Sequence, residues 1–129
     1  MPENDKIMTS CRPYLLRSIY EWIVDNDMTP FILVDANAEN VNVPTDHVSN
    51  GKIILNISPS AVKALDISNE QICFNARFNG QPMTVAAPMQ AALAIYAKEN
   101  GRGMVFTDDD NPPEPTKNVQ RQPQLRVVK

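Results

Sequence analysis

The chain carries one histidine, His47, in an Asp46-His47 pair beside a turn, and two cysteines, Cys11 and Cys73. A thiol nucleophile needs a base within hydrogen-bond reach, and nothing in the spacing of Cys73 and His47 implies one. The cysteines form neither a CxxC pair nor a zinc-type spacing, so both read as reduced thiols. Ser58, Ser60 and Ser68 lie outside any nucleophile-elbow context. No GxxxxGK[ST] or GxGxxG loop is present to cradle phosphate, and Gly101-Arg102-Gly103 reads as the C-cap of a helix. Asp108-Asp109-Asp110 lacks the spaced ligands and central glycine of a calcium loop, so it reads as solvated charge. No residue is assigned a catalytic or metal-binding role and no cofactor is expected. The chain reads as a binding protein, not an enzyme.

The totals narrow the partners. At 129 residues, one domain is expected, long enough to bury a core without disulfides or metals. A net charge of -3 and a pI near 5.0 count against nucleic acid as the main partner, because phosphate binding needs a basic surface. No apolar run has the length of a membrane span, and MPENDKIMTSC lacks the cationic-then-apolar pattern of a signal peptide. A cytoplasmic location is expected.

The elements that would position a binding site follow from periodicity. Pro13 suits the first turn of a helix, with Ser10 or Arg12 just outside it. Asp25-Asn26-Asp27 and Pro30 end that helix. Leu15, Leu16, Ile19, Tyr20, Trp22, Ile23 and Val24 cover an arc of about 200° at 100° per residue, wider than a surface helix needs. Such a helix is either buried deeply in its own domain or shared between its core and a second subunit. Phe31 to Val34 and Lys52 to Ile57 read as strands, the second entered through Asn50-Gly51. Glu70 to Phe78 and Gln81 to Val85 read as a hairpin turning at Asn79-Gly80. Its register puts Ala76 opposite Met83 and Phe74 opposite Val85. Phe74, Ala76, Phe78, Met83 and Val85 then share one face, and Cys73, Asn75, Arg77, Pro82 and Thr84 the other. A second helix is expected from Pro88 to Asn100, and a last short strand over Met104 to Phe106. The fold class is therefore mainly β with two helices (α+β): a small barrel or two packed antiparallel sheets.

Composition changes near Thr107. Residues 1–106 read as the folded body. Residues 107–124, TDDDNPPEPTKNVQRQPQ, have too little apolar surface to offset ordering entropy and are expected to be disordered. Leu125, Arg126, Val127, Val128 and Lys129 then alternate apolar and basic side chains. They suit either an edge strand folded back on the body or an extended docking peptide. A long polar spacer favours docking.

Arg12-Pro13-Tyr14-Leu15-Leu16-Arg17, Tyr20-Glu21-Trp22, Ile54-Leu55-Asn56-Ile57, Phe74-Asn75-Ala76-Arg77-Phe78, Ala94-Ile95-Tyr96-Ala97, Glu99-Asn100-Gly101 and Leu125-Arg126-Val127-Val128-Lys129 resemble the stringent starvation protein B (SspB) family of bacterial adaptors. The resemblance implies an Sm-like body that binds the ssrA tag of stalled translation products and delivers them to the ClpXP protease. It implies a homodimer contact through the first helix, with Leu16, Ser18 and Tyr20 as its residues. It implies a tag groove at Asn56, Ile57, Ser58, Phe74, Ala76, Phe78, Met83 and Val85, where Phe74 and Val85 suit the core equally. Residues 125–129 match the motif that docks on the ClpX N-terminal domain. The spacer is shorter and less acidic than is usual for the family; as a flexible chain it spans about 23 Å, and roughly 60 Å when stretched. The alternative is a small RNA-binding protein, since Sm-like barrels elsewhere bind RNA. The acidic balance and the lack of interleaved Arg and aromatic residues count against it.

Overall fold

The computed structural model describes residues 8–107. The expected spacer, apart from Thr107, and the terminal motif 125–129 lie outside them. The first element is α1, Arg12–Asp25, with Pro13 in its first turn, where a missing N–H costs nothing. The Ser10 hydroxyl oxygen accepts the Arg12 N–H at 3.1 Å. The helix ends on Asp27, whose φ of 61° is left-handed. Met28 N–H reaches back to Ile23 O at 3.1 Å and Asp27 N–H to Val24 O at 2.9 Å. That is the paired bonding by which a left-handed residue satisfies the last carbonyls of a helix.

Seven strands follow, β1 (Pro30–Asp35), β2 (Lys52–Asn56), β3 (Lys63–Ile67), β4 (Gln71–Phe78), β5 (Gln81–Pro88), β6 (Ala92–Ala97) and β7 (Gly103–Val105). They form two antiparallel sheets, ordered β2-β1-β6-β7 and β3-β4-β5. The sheets enclose one core but remain separate, so the packed-sheet arrangement holds and no barrel closes. Ile32, Ile53, Leu55 and Ile95 enter the core from the first sheet, and Ile72, Phe74 and Val85 from the second. The helix lies against β1, β3 and β6. It gives Leu16 and Ile23 to the core, leaves Leu15, Ile19 and Tyr20 half-buried, and turns Tyr14 and Trp22 outward, each 49% exposed. No helix among the described residues is long and apolar enough to cross a membrane.

The expected second helix, Pro88 to Asn100, is not formed. Met89–Ala91 makes one turn of 3-10 helix, and Ala92–Ala97 is strand β6. Ala92, Ala94, Ile95 and Ala97 are all buried, because β6 is covered on both faces in the middle of its sheet. A strand in that position reads as a continuous apolar run, and alternation is lost. Tertiary pairing with β1 and β7 outweighs the helical preference of alanine and leucine. Gly101, at φ 74°, accordingly belongs to the β6–β7 connection and Gly103 opens β7, and neither caps a helix.

Arg12 fastens the start of the helix to the end of the described chain. Its side chain is 3% exposed. One terminal nitrogen donates to Gln90 O and Ala92 O, both at 3.0 Å, and the other to Thr107 O at 2.8 Å. Its guanidinium also lies 5.5 Å from the centre of the Phe106 ring. Glu99 ties β6 to the segment before β1 by accepting the Thr29 N–H at 2.9 Å and its hydroxyl at 2.7 Å. Those two bonds hold its carboxyl below the usual carboxylate range.

Candidate functional site

The site is built on the β4–β5 hairpin. Asn79 and Gly80 both have positive φ, 56° and 80°. Two such residues in a two-residue loop match the right-handed twist of the strands they join. The turn fixes the register: Phe74 stands opposite Val85 and Ala76 opposite Met83, as the Asn-Gly position predicts. Phe74 and Val85, each 2% exposed, anchor the inner half in the core. Towards the tip Ala76, Met83 and Phe78 are only half-buried.

The outer half of the hairpin runs past its neighbours on both edges. On one edge β3 begins at Lys63, opposite Asn75, so Ala76, Arg77 and Phe78 have no strand beside them there. The segment before Lys63 turns at Ser58, whose carbonyl accepts the N–H groups of Ala61 and Val62 at 2.9 and 3.2 Å. On the other edge Asn42 bridges Ala86, and its side-chain amide donates to Thr84 O at 2.8 Å. That bridge carries the Val43–His47 segment along the hairpin, and the His47 ring lies 5.6 Å from that of Phe78.

Two open clefts result. One, of about 430 Å³, is lined by Ser60, Ala61, Lys63, Asn75, Ala76, Arg77 and Pro82. The second, of about 410 Å³, is lined by Val43, Pro44, Thr45, Asp46, His47, Phe78, Asn79, Gln81, Pro82 and Met83. Pro82 borders both, and the Ala76–Met83 pair lies between them along the hairpin. The first is polar and basic at its rim, and the second offers apolar walls beside Asp46 and His47. A smaller cup, about 180 Å³, lies where Trp22, Ile23 and Met28 meet Ala97 and Arg102.

The expected groove residues separate into two groups. Ala76, Phe78 and Met83 line the clefts. Ile57, Phe74 and Val85 are core residues with at most 2% exposure, and Ser58 is buried at 8%. Asn56 is exposed, and its side-chain oxygen accepts the Ser58 N–H at 2.9 Å, which shapes the corner after β2. Sequence reasoning placed Asn75, Arg77 and Pro82 only on the opposite hairpin face and did not reach Lys63, Ser60 or the Val43–His47 wall. The segments that bring in these last residues carry no local signal for where they pack. On the helix, Leu16 is fully buried, Ser18 is exposed, with its hydroxyl on Tyr14 O at 2.9 Å, and Tyr20 is half-buried. Burial raises the Tyr20 phenol above its ordinary pKa, while bonds with Asn69 and then Thr9, with Arg17 nearby, lower that of Tyr14.

Cys73 and His47 do not meet. Cys73 pairs with Ala86 in mid-strand, whereas the His47 ring packs on Phe78, which is five residues and so about 17 Å further along β4. Among the described residues no group of three His, Cys, Asp or Glu side chains gathers as a metal site.

A family model described as stringent starvation protein B matches residues 10–129. A stringent starvation protein B homolog of Haemophilus influenzae is 52% identical over 99 residues, covering 77% of this chain and 66% of that relative. The match thus spans about two thirds of the relative's length. On both grounds this chain belongs to the stringent starvation protein B family.

Proposed function

We propose that the chain is a non-enzymatic cytoplasmic adaptor that binds the ssrA tag of stalled translation products and tethers them to the ClpXP protease. The observation that carries this reading is the open cleft at Ala76, where β4 continues beyond the strand beside it. An extended peptide is the ligand suited to a strand edge with side-chain clefts on either flank. The family match supports the rest, because it runs past the body to residue 129 and includes the Leu125-Arg126-Val127-Val128-Lys129 end.

In this reading residues 1–106 hold the tag and pair two copies, residues 107–124 are the spacer, and residues 125–129 dock on the ClpX N-terminal domain. Ala76, Phe78 and Met83 touch the tag, while Phe74, Val85 and Ile57 hold the hairpin and β2 corner in place from the core. Two copies meet through α1, at Tyr14, Ser18 and Trp22 on its outer face and at Tyr20 on the flank beside β3, with Leu16 supporting the helix from beneath. Tethering makes tag engagement effectively intramolecular, at concentrations on the order of mM for a short flexible linker. Each contact can then be weak enough to release.

The test is binding of a fluorescent ssrA-type peptide to the full chain and to a chain ending at residue 124. Saturable binding of equal affinity by both is expected. Absence of binding by both would overturn the assignment of cargo.

A further inference from the structure

Each of the two sheets has two edges, and all but one of these are blunted. β2 carries Lys52 and Asn56, both exposed. β3 carries Lys63 and Asp66 and is interrupted at Ala64. β5 carries Pro82 and Pro88 and is bridged at Ala86 by Asn42. Charge, proline and irregular backbone are the usual devices that keep a sheet from gaining a strand. The short strand β7, Gly103-Met104-Val105, has neither charge nor proline, and among the described residues no strand lies on its outer side.

That open edge has hydrogen-bonding groups to offer. Phe106 N–H donates to Leu93 O and Ala97 N–H to Arg102 O, each at 2.8 Å. In the β6–β7 register Arg102, Met104 and Phe106 thus turn their main-chain groups towards β6. Bonded pairs alternate along an antiparallel ladder, so Gly103 and Val105 turn theirs outward. The side chains leading to this edge are apolar. Val105 stands opposite Ala94, Ala94 opposite Leu33, and Leu33 opposite Ile54. This row lies on the outer face of the sheet, since Ile32, Ile53 and Ile95 point into the core. Val105, at the end of the row, is 72% exposed.

We propose that residues 125–129 of this chain pair antiparallel with β7 as a fifth strand of its sheet, with Val127 opposite Val105. Residues 1–7 and 108–124 also lie outside the described body, but they are mostly polar and contain prolines. Leu125-Arg126-Val127-Val128-Lys129 instead combines strand-favouring apolar residues with basic ones. Leu125 and Val127 extend the outer row past Val105, and Val128 falls beside Met104. The chain runs on from Thr107, just beyond β7, so residues 108–124 need only double back. As a flexible chain they span roughly 23 Å, enough for that return. They hold the strand at a local concentration on the order of mM. The pairing stands on the edge itself; its consequence rests on the adaptor reading and adds regulation to it. Residues 125–129 cannot lie on β7 and on the protease together, so β7 competes with docking.

The test is amide hydrogen exchange at Gly103 and Val105, followed by NMR in the full chain and in a chain ending at residue 124. Exchange at both amides is expected to be roughly fivefold slower in the full chain, with Met104 unchanged. Equal exchange in the two chains overturns the proposal and leaves the adaptor reading standing. Protection that grows with protein concentration puts a second copy's segment on the edge and overturns it too. A second arm uses Val105→Lys, which blunts the edge at an exposed position and is expected to keep the melting temperature. This full-length variant is expected to bind the isolated ClpX N-terminal domain roughly fivefold more tightly than the unaltered chain, because its docking segment is no longer held. Equal affinity overturns the competition. Binding by neither chain overturns the adaptor reading, and the exchange rates alone then decide the pairing.

Discussion

Ala76 has the smallest side chain in the cleft-facing row of β4, between Phe74, which is sunk in the core, and Phe78, which lines the outer cleft. Its methyl group leaves the strand edge approachable, whereas a long side chain at the same place occupies the opening. Ala76→Gln is therefore expected to weaken ssrA-peptide binding by at least about tenfold while shifting the melting temperature by no more than about 3 °C, since the residue is only half-buried. Titration and thermal unfolding of the same sample separate the two effects. Unchanged affinity would remove Ala76 from the site.

At the scale of elements, two single residues decide whether strands hold. Gly103 sits opposite Tyr96 in the β6–β7 ladder, and a Cβ there would collide with the Ile95 carbonyl oxygen and the Tyr96 Cα. Both obstacles are backbone and cannot step aside. Gly103→Ala is expected to cost about 2–3 kcal/mol in urea unfolding; an unchanged midpoint would mean that β7 is dispensable. Arg12→Met keeps most of the side-chain volume but strips the carbonyls of Gln90, Ala92 and Thr107 of this donor. A loss of about 2–4 kcal/mol is expected by the same measurement, and a loss well under 1 kcal/mol would make those bonds replaceable by water.

What was legible in the sequence divides along the same line. The β4–β5 register was readable because Asn79-Gly80 is a local signal with one geometric consequence. The first helix was readable from its period and its Pro13 start, and the breadth of its apolar arc is matched by Trp22, at one edge of that arc, facing outward. β6 was misread because Ala92 to Ala97 favours a helix locally and becomes a strand only between two partners distant in sequence. β3 gave no signal: it is short, half-exposed, and interrupted at Ala64, whose φ of 57° breaks the register with β4. The inner cleft residues were separable from the core only in part, since Phe74 and Ala76 share one face and differ only in how far along the hairpin they lie. Lys63 and the Val43–His47 wall depend on long-range placement.

For the whole molecule, the tether reading predicts that holding cargo and delivering it are separable. Removing residues 125–129 is expected to return degradation of a tagged substrate by ClpXP to the adaptor-free rate with peptide affinity intact. An excess of free Leu-Arg-Val-Val-Lys peptide is expected to have the same effect on the full chain, because it competes for the docking site alone. Delivery that persists under both treatments would place the protease contact in the body.

The bond from Arg12 to Thr107 O gives that tether a mechanical aspect. A pull on the tail arrives first at Thr107, and so at one buried guanidinium and at β7, a three-residue strand on the edge of its sheet. Loaded from its end, such a strand peels one hydrogen bond at a time. The hairpin assigned to cargo belongs to the other sheet, so peeling β7 would leave the β3-β4-β5 hydrogen bonds in place. If the chain is the adaptor proposed, β7 would be the element that gives way at the exit, lengthening the tether under traction while the hairpin stays paired.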